Sequence, residues 1–400
     1  MMKIILHESS VSMRKMKCRY CDHFVDKELS IQFGKMPITP NAIEKGILLD
    51  EKGNFYEYEF EIVICKNCGL IQQLLSPDPN KLYFRFKNEI VGDKWNRHFT
   101  QFVDFICMSI DSKSSLLEVG AGDLKLANML LKRGFDNITI VEKNIDSDNV
   151  NNKIKFHFNF LEEVNFNEKF DLVYSSHVFE HISNIKEHIQ KTSEILVGGG
   201  KFIFSLPNFK KWIENFNLNA FSQEHPIYPT LPSIENILSQ YGLIVIRTLE
   251  FEDHSLFIES ELRKTKLTNN NTYVENRILV EKYKENFEKF KKFVSQINYK
   301  RMYIFGGNSS TQILLKLLKP LSFDIIYILD NANIKENKYL YGFDYLVKKP
   351  NILKNESREC VILVFTGSYI EEIKNQIKLI NDKIPIITMN DFKSYLNSKN

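Results

Sequence analysis

Between Ser115 and Pro207 the chain alternates short apolar runs with amphipathic stretches. "SLLEVG", "NITIVE", "FDLVYSS" and "KFIFSLP" read as strands. The helical segments between most of them predict a parallel sheet covered on both faces. "LIVIRTLEF" and "SLFIESEL" follow with little between them, which predicts a hairpin at the end of that sheet. Upstream, within residues 80–112, Phe99, Phe102, Val103 and Ile106 recur at three- and four-residue spacing, the apolar face of a helix leading into the sheet. Before that, the alternation in "YEYEFEIVIC" (Tyr56 to Cys65) predicts small antiparallel strands. Downstream, Ile278, Tyr283, Phe287, Phe290, Val294 and Ile297 form an apolar stripe on a lysine-rich helix. A second, smaller α/β pattern then begins with "MYIFGG" and a helix through Leu318, and continues with "DIIYILDN", "CVILVF" and "IPIITM". The resulting division is 1–79, 80–273, a linker helix at 274–299, and 300–400.

Four hundred residues exceed one core, consistent with that division. The composition, 43% hydrophobic and 26% charged, is that of an ordinary globular protein. A formal net charge of +3 gives no reason to expect nucleic acid as a partner. The opening "MMKIILHESS" falls far short of a signal-peptide core, and no apolar run approaches a membrane span, so a cytoplasmic protein without a membrane partner is expected. Nothing here decides between a monomer and a homodimer.

Four of the six cysteines form two pairs, Cys18-x-x-Cys21 and Cys65-x-x-Cys68. Each pair presents two thiolates from a tight knuckle, and two knuckles complete a tetrahedral shell, which predicts a structural zinc stapling the first domain. His23 is a substitute ligand on paper, but a solvated histidine is the simpler reading. Cys107 and Cys360 read as small buried hydrophobes.

"LLEVGAGDLKLANML" follows the first strand of the middle sheet and opens a helix. Gly120 and Gly122 permit close backbone approach, and the helix start offers free N–H groups. Glu142, at the end of the next strand about 20 residues on, stands where a carboxylate grips ribose hydroxyls. A dinucleotide loop would place glycine where Lys125 stands, and Glu118 and Asp123 add negative charge beside the loop. That charge opposes phosphates and suits a sulfonium and an amino group, so S-adenosylmethionine fits better than NAD.

On these residues the run from Leu116 to Asn208 resembles a class I S-adenosylmethionine-dependent methyltransferase, with "EVGAGD", Glu142, "FDLVYSSHVFEHI" and "ILVGGGKFIFSLPN" as the matching features. The resemblance implies an α/β fold with a doubly wound sheet. It also places Glu118, Gly120, Gly122 and Asp123 at the methionine end, Glu142 on the ribose, Phe160 or Leu161 near adenine, and His177 towards the cofactor sulfur. The order of parts carries the resemblance further: a CxxC…CxxC domain containing "MPITPNAI" and ending "CKNCGLIQ", then the methyltransferase, then "YIFGGNSSTQILLKLL". The whole chain is similar to bacterial sugar C-methyltransferases that act on nucleotide-linked keto-deoxysugars. These combine a small N-terminal zinc-binding domain, the class I domain and a C-terminal Rossmann-like domain. The last of these is expected to wall the substrate cleft rather than to bind NAD, because its glycine fingerprint is incomplete.

In that family an "EH" element after the fifth strand supplies the catalytic histidine, and Glu224 and His225 of "SQEHPIYPT" occupy that place. A histidine near its ordinary pKa suits removal of a proton from a hydroxyl or from carbon beside a ketone. Glu224 would orient the imidazole or contact substrate, and Tyr228 would assist. Against this stands a packed turn rigidified by Pro226 and Pro229, with His177 and His181 as rival bases. Departures from the family fall on the substrate side. Ser222 stands where tyrosine is usual, an expected aromatic hydroxyl falls among Phe84, Arg85 and Phe86, and Asp253 to Ser255 read "DHS" in place of "GGS". The expectation is therefore a methyltransferase acting on a nucleotide sugar or surface-glycan precursor, by C-methylation first and O- or N-methylation second. An RNA methyltransferase with a zinc clamp, or a scaffold that merely retains the fold, is less well supported.

Overall fold

The computed structural model describes residues 16–82, 92–143, 154–264, 272–321, 323–357 and 359–398. Phe84, Arg85 and Phe86 lie outside the described residues. The first segment contains β1 (Ser30–Pro37), β2 (Ala42–Ile43), β3 (Glu57–Ile64) and β4 (Ile71–Gln73), followed by the single turn α1 (Pro79–Leu82). β1, β3 and β4 form a three-stranded antiparallel sheet, as the alternation predicts.

The middle of the chain builds a seven-stranded sheet. Its strands are β5 (Leu116–Val119), β6 (Ile138–Val141), β7 (Ile154–His157), β8 (Phe170–Ser176), β9 (Leu196–Pro207), β10 (Leu243–Phe251) and β11 (Ser255–Leu262). Their order is β10-β11-β9-β8-β5-β6-β7, with β11 antiparallel to both neighbours and the five strands from β9 to β7 parallel. Helices α2 (Asp93–Cys107), α3 (Lys125–Lys132), α4 (Ile185–Ile195), α5 (Phe209–Glu214) and α6 (Leu231–Ser239) cover it. Phe99, Phe102, Val103 and Ile106 of α2 are buried, as their spacing predicts. The hairpin lies at the end of the sheet as expected, with β11 between β9 and the edge strand β10.

Helix α7 (Tyr273–Val294) leads to the last domain and buries Val280, Tyr283, Phe287, Phe290 and Val294. Ile278 does not belong to this stripe. It is 60% exposed, because the buried face begins at Asn276 and Val280 and turns Ile278 to solvent. The last domain holds β12 (Arg301–Phe305), α8 (Ser309–Leu318), β13 (Asp324–Leu329), β14 (Tyr339–Leu340), β15 (Val347–Lys348), β16 (Val361–Val364), α9 (Ile370–Ile380), β17 (Ile386–Thr388) and α10 (Met389–Ser398). Its parallel sheet runs β15-β13-β12-β16-β17. β14 pairs with β2, tying the last domain to the first. Among the described residues no helix is long and apolar enough to cross a membrane.

Candidate active site

Glycine loop, acidic residues and histidines gather at the carboxyl ends of the parallel strands, where open α/β sheets place their ligands. Gly120 follows β5 with φ of 74°, and a Cβ there would lie 2.4 Å from Val178 Cγ2. Only glycine meets both conditions. Around Gly122 the space is open, and its amide donates to Glu142 Oε2 at 3.4 Å. Asp123 accepts from the Lys125 amide at 3.1 Å, two residues on, in an Asx turn that leads into α3. Glu118 is buried and accepts from the Tyr174 hydroxyl at 2.9 Å. Burial, reinforced by Asp123 and Glu142, raises its pKa to about 8. A cationic ligand in this acidic cradle would favour the ionised form. Phe160 is 48% exposed and lies under the Lys143 ammonium, open to a stacked base. Leu161 is instead part of the core at 2% exposure, so of the two residues expected near adenine it is Phe160 that has an available face.

The "SQEHPIY" segment folds as a turn, with the His225 amide donating to the Ser222 carbonyl. It is held from below by β4. The Gln73 amide donates to Pro226 O at 3.0 Å, the Tyr228 amide to Ile71 O at 2.8 Å, and Gln73 Nε2 lies 2.8 to 3.0 Å from the carbonyls of Ser222, Gln223 and His225. Sequence reading missed Gln73, since nothing in "CGLIQQ" marks a glutamine that organises a loop some 150 residues away. Tyr228, expected as a catalytic assistant, belongs to this network. It is fully buried, its hydroxyl donates to Ser222 O at 2.7 Å, and it fastens the turn to the core.

His225 is 9% exposed and packs edge-on to His181 with ring centroids 4.7 Å apart. Burial, with the neighbouring His181 and His177, pushes its pKa well below the ordinary value, in contrast to the near-ordinary pKa expected from the sequence. The imidazole is neutral at pH 7, and it gains basicity only where a bound acceptor or a carboxylate stabilises its protonated form. Glu224 does not orient it. Glu224 Oε1 and His225 Nδ1 are both buried without a hydrogen-bond partner, as are both oxygens of Glu180. His177 Nδ1 stands 3.2 Å from Glu180 Oε1 but outside hydrogen-bond geometry. Burial raises the carboxyls of Glu180 and Glu224 to about 7, with Lys335 of the last domain opposing the shift at Glu224. His177, in a left-handed conformation at φ of 54°, links this group to the end of β8.

The four cysteine sulfurs converge. Cys18 Sγ lies 3.7 Å from Cys68 Sγ and Cys21 Sγ 3.4 Å from Cys65 Sγ, with all four within 4.8 Å of one another. Metal–sulfur bonds of about 2.3 Å imply tetrahedral edges of roughly 3.8 Å, so the donor set fits. Hydrogen bonds from Cys65 and Cys68 hold the Cys18 thiol far below its ordinary range, while the contact with Cys18, aided by burial, pushes Cys65 up to about 12. Such a set sheds its protons together only around a cation. Gln72 Nε2 donates to Cys18 Sγ at 3.2 Å, and the Gly69 amide closes the second knuckle on Cys65 O at 2.8 Å. Cys360 is buried as expected, whereas Cys107 is only partly covered.

In the last domain the "FGGNSS" turn is already satisfied. The Gly307 amide donates to Asp330 Oδ2 at 2.8 Å, and Lys335 bridges Asp330 and the Gly307 carbonyl.

A five-strand parallel core continued by an antiparallel hairpin strand, with a glycine loop after β5 and an acid after β6, defines a class I S-adenosylmethionine-dependent methyltransferase domain. Residues 91–248 match a family model described as a methyltransferase domain. The chain is 24% identical over 244 residues to the C-methyltransferase NovU of Streptomyces niveus, a match covering 58% of this chain and 56% of that protein. It thus spans about half the length of that curated relative. Among solved structures, it is similar to the N-methyltransferase NodS from Bradyrhizobium japonicum WM9, at 14% identity and a TM-score of 0.34 over 43% of this chain and 97% of that one. The PH0226 protein from Pyrococcus horikoshii OT3 aligns at 13% identity and a TM-score of 0.38 over 45% and 98%.

Proposed function

We propose that this protein is an S-adenosylmethionine-dependent C-methyltransferase acting on a nucleotide-linked keto-deoxysugar or a related surface-glycan precursor, with His225 as general base. A structural zinc on Cys18, Cys21, Cys65 and Cys68 belongs to the same reading. The observation that carries it is the cluster of partnerless buried polar atoms on Glu180, Glu224 and His225. Orphaned buried polar atoms are rare and costly, and four in one place suit a cleft that a polar acceptor completes. The bound cofactor supplies an electrophilic methyl group. Glu118, Gly120, Gly122, Asp123, Glu142 and Phe160 hold it, with His177 between cofactor and acceptor. The neutral His225 takes a proton from carbon beside the acceptor ketone, and Glu180 and Glu224, titrating near 7, take up or return protons beside it.

His225→Ala is expected to leave S-adenosylhomocysteine affinity nearly unchanged and to lower turnover about 10²–10⁴-fold. With S-adenosylhomocysteine and a keto-sugar nucleotide in heavy water, the wild type should exchange the adjacent C–H for deuterium, and the variant should not. Methyl transfer to oxygen or nitrogen without exchange would replace C-methylation by its alternative. Full turnover in the variant would remove His225 from the chemistry and leave His177 and His181 to be tested.

A further inference from the structure

Three histidines from three separate elements meet at the end of β8: His98 on α2, His177 just after β8, and His254 in the turn between β10 and β11. Their ring centroids lie 5.2, 5.7 and 5.5 Å apart for the pairs 98–177, 98–254 and 177–254. One ring nitrogen from each falls within 4.8 Å of the other two. Three imidazoles on a tetrahedral ion, with metal–nitrogen bonds of about 2.0–2.1 Å, place their centroids roughly 5 Å and their nitrogens roughly 3.4 Å apart. The triangle of rings therefore already has the required size, and rotation of the rings in place closes the remaining ångström or so.

Two of the rings are held through one nitrogen: His98 Nε2 lies 3.2 Å from Ser176 Oγ and 3.4 Å from Ser205 Oγ, and His254 Nε2 lies 2.9 Å from the Tyr369 hydroxyl. His177 Nδ1 faces the Glu180 carboxylate at 3.2 Å without the geometry of a hydrogen bond. A hydrogen bond on the second ring nitrogen orients a metal-binding imidazole. The opposite nitrogens remain. His98 Nδ1 is wholly buried and has no partner. His177 Nε2 and His254 Nδ1 share the Ser255 hydroxyl, at 2.9 and 2.6 Å. Trp95 stands edge-on to all three rings at 4.6 to 5.1 Å and shields them from water, while the His177 side chain, 16% exposed, leaves a way in.

We propose that His98, His177 and His254 form a tris-imidazole site for a borderline divalent ion of the zinc, cobalt or nickel class, separate from the cysteine site. Imidazole donors suit that class, and the Ser255 hydroxyl leaves a fourth position exchangeable. At the end of β8 such an ion would polarise an acceptor oxygen; that role rests on the proposed function, whereas the site itself does not.

The test uses the full-length chain loaded with zinc or cobalt, as wild type, His254→Ala, His254→Asn and Cys65→Ser. The wild type should hold two equivalents of metal. Both His254 variants should hold one, and His254→Asn, which keeps a polar amide against Ser255 and Tyr369, separates ligand loss from misfolding. In the cobalt protein the equivalent lost with His254 should carry only weak visible bands, while Cys65→Ser should remove the intense near-ultraviolet thiolate bands. Zinc-edge absorption on the wild type should show nitrogen as well as sulfur neighbours. One equivalent at saturating metal with sulfur neighbours alone, or His254 variants that bind as much metal as the wild type, would overturn the proposal.

Discussion

Glu142 illustrates how much a single side chain carries at this site. It follows β6 directly, its amide donates to His157 O at 3.1 Å, and its carboxylate faces the Gly122 amide. A ribose entering between strand end and loop would meet an acceptor already aimed at its hydroxyls. Glu142→Ala is expected to weaken S-adenosylhomocysteine binding by about 1.5–3 kcal/mol, roughly 10- to 150-fold, the range for hydrogen bonds to a charged group. Calorimetry measures it, and unchanged affinity would mean that the ribose lies elsewhere. Its place beside the glycine loop was legible because a strand followed by an acid is a local pattern. His98 and His254 were not, since a histidine's chemistry depends on neighbours brought from other elements.

Among the elements, β4 has a role out of proportion to its three residues. The cysteine knuckle Cys65–Cys68 leads straight into it, and it forms a bridge with the histidine turn through Gln72 and Ile227. The first domain thus templates the loop bearing the proposed base. Gln73→Ala removes the one side chain that gathers the carbonyls of Ser222, Gln223 and His225. It is expected to lower kcat by about 10- to 100-fold through a misplaced base, while the cofactor site, built on the ends of β5 and β6, keeps its affinity. If kcat and S-adenosylhomocysteine affinity fall together, the turn and the cofactor loop are one structural unit. The strands themselves were largely legible as apolar runs. β7 was not, because "IKFH" is short and half polar, and the insertion of β11 was not, because strand order is fixed by crossover packing rather than by local pattern.

At the scale of the molecule the three parts converge on one buried residue. Gln312, on α8 of the last domain, donates from Nε2 to Thr39 O and Tyr341 O, both at 2.9 Å, and accepts from Gln223 Nε2 at 2.6 Å. Thr39 belongs to the first segment and Gln223 to the histidine turn, so one fully buried amide satisfies groups in all three. Ser309 Oγ adds a contact to Ser222 Oγ at 2.8 Å, and Asn219 accepts from the Ser310 amide. The turn that resembles a nucleotide-binding loop therefore serves as the dock for the proposed catalytic loop, a use that sequence could not reveal because the partners lie about 90 residues apart or more. Gln312→Leu keeps the volume but strands two carbonyls and an amide, and is expected to cost about 2–4 kcal/mol. The two tryptophans, Trp95 and Trp212, both lie in the middle domain. Their fluorescence during urea unfolding reports on that domain alone. If Gln312 couples the domains, a substitution in the last one moves the tryptophan-reported midpoint together with that seen by circular dichroism. A shift in circular dichroism with the tryptophan midpoint unmoved would mean that the last domain unfolds independently and that the dock contributes nothing to the stability of the methyltransferase core.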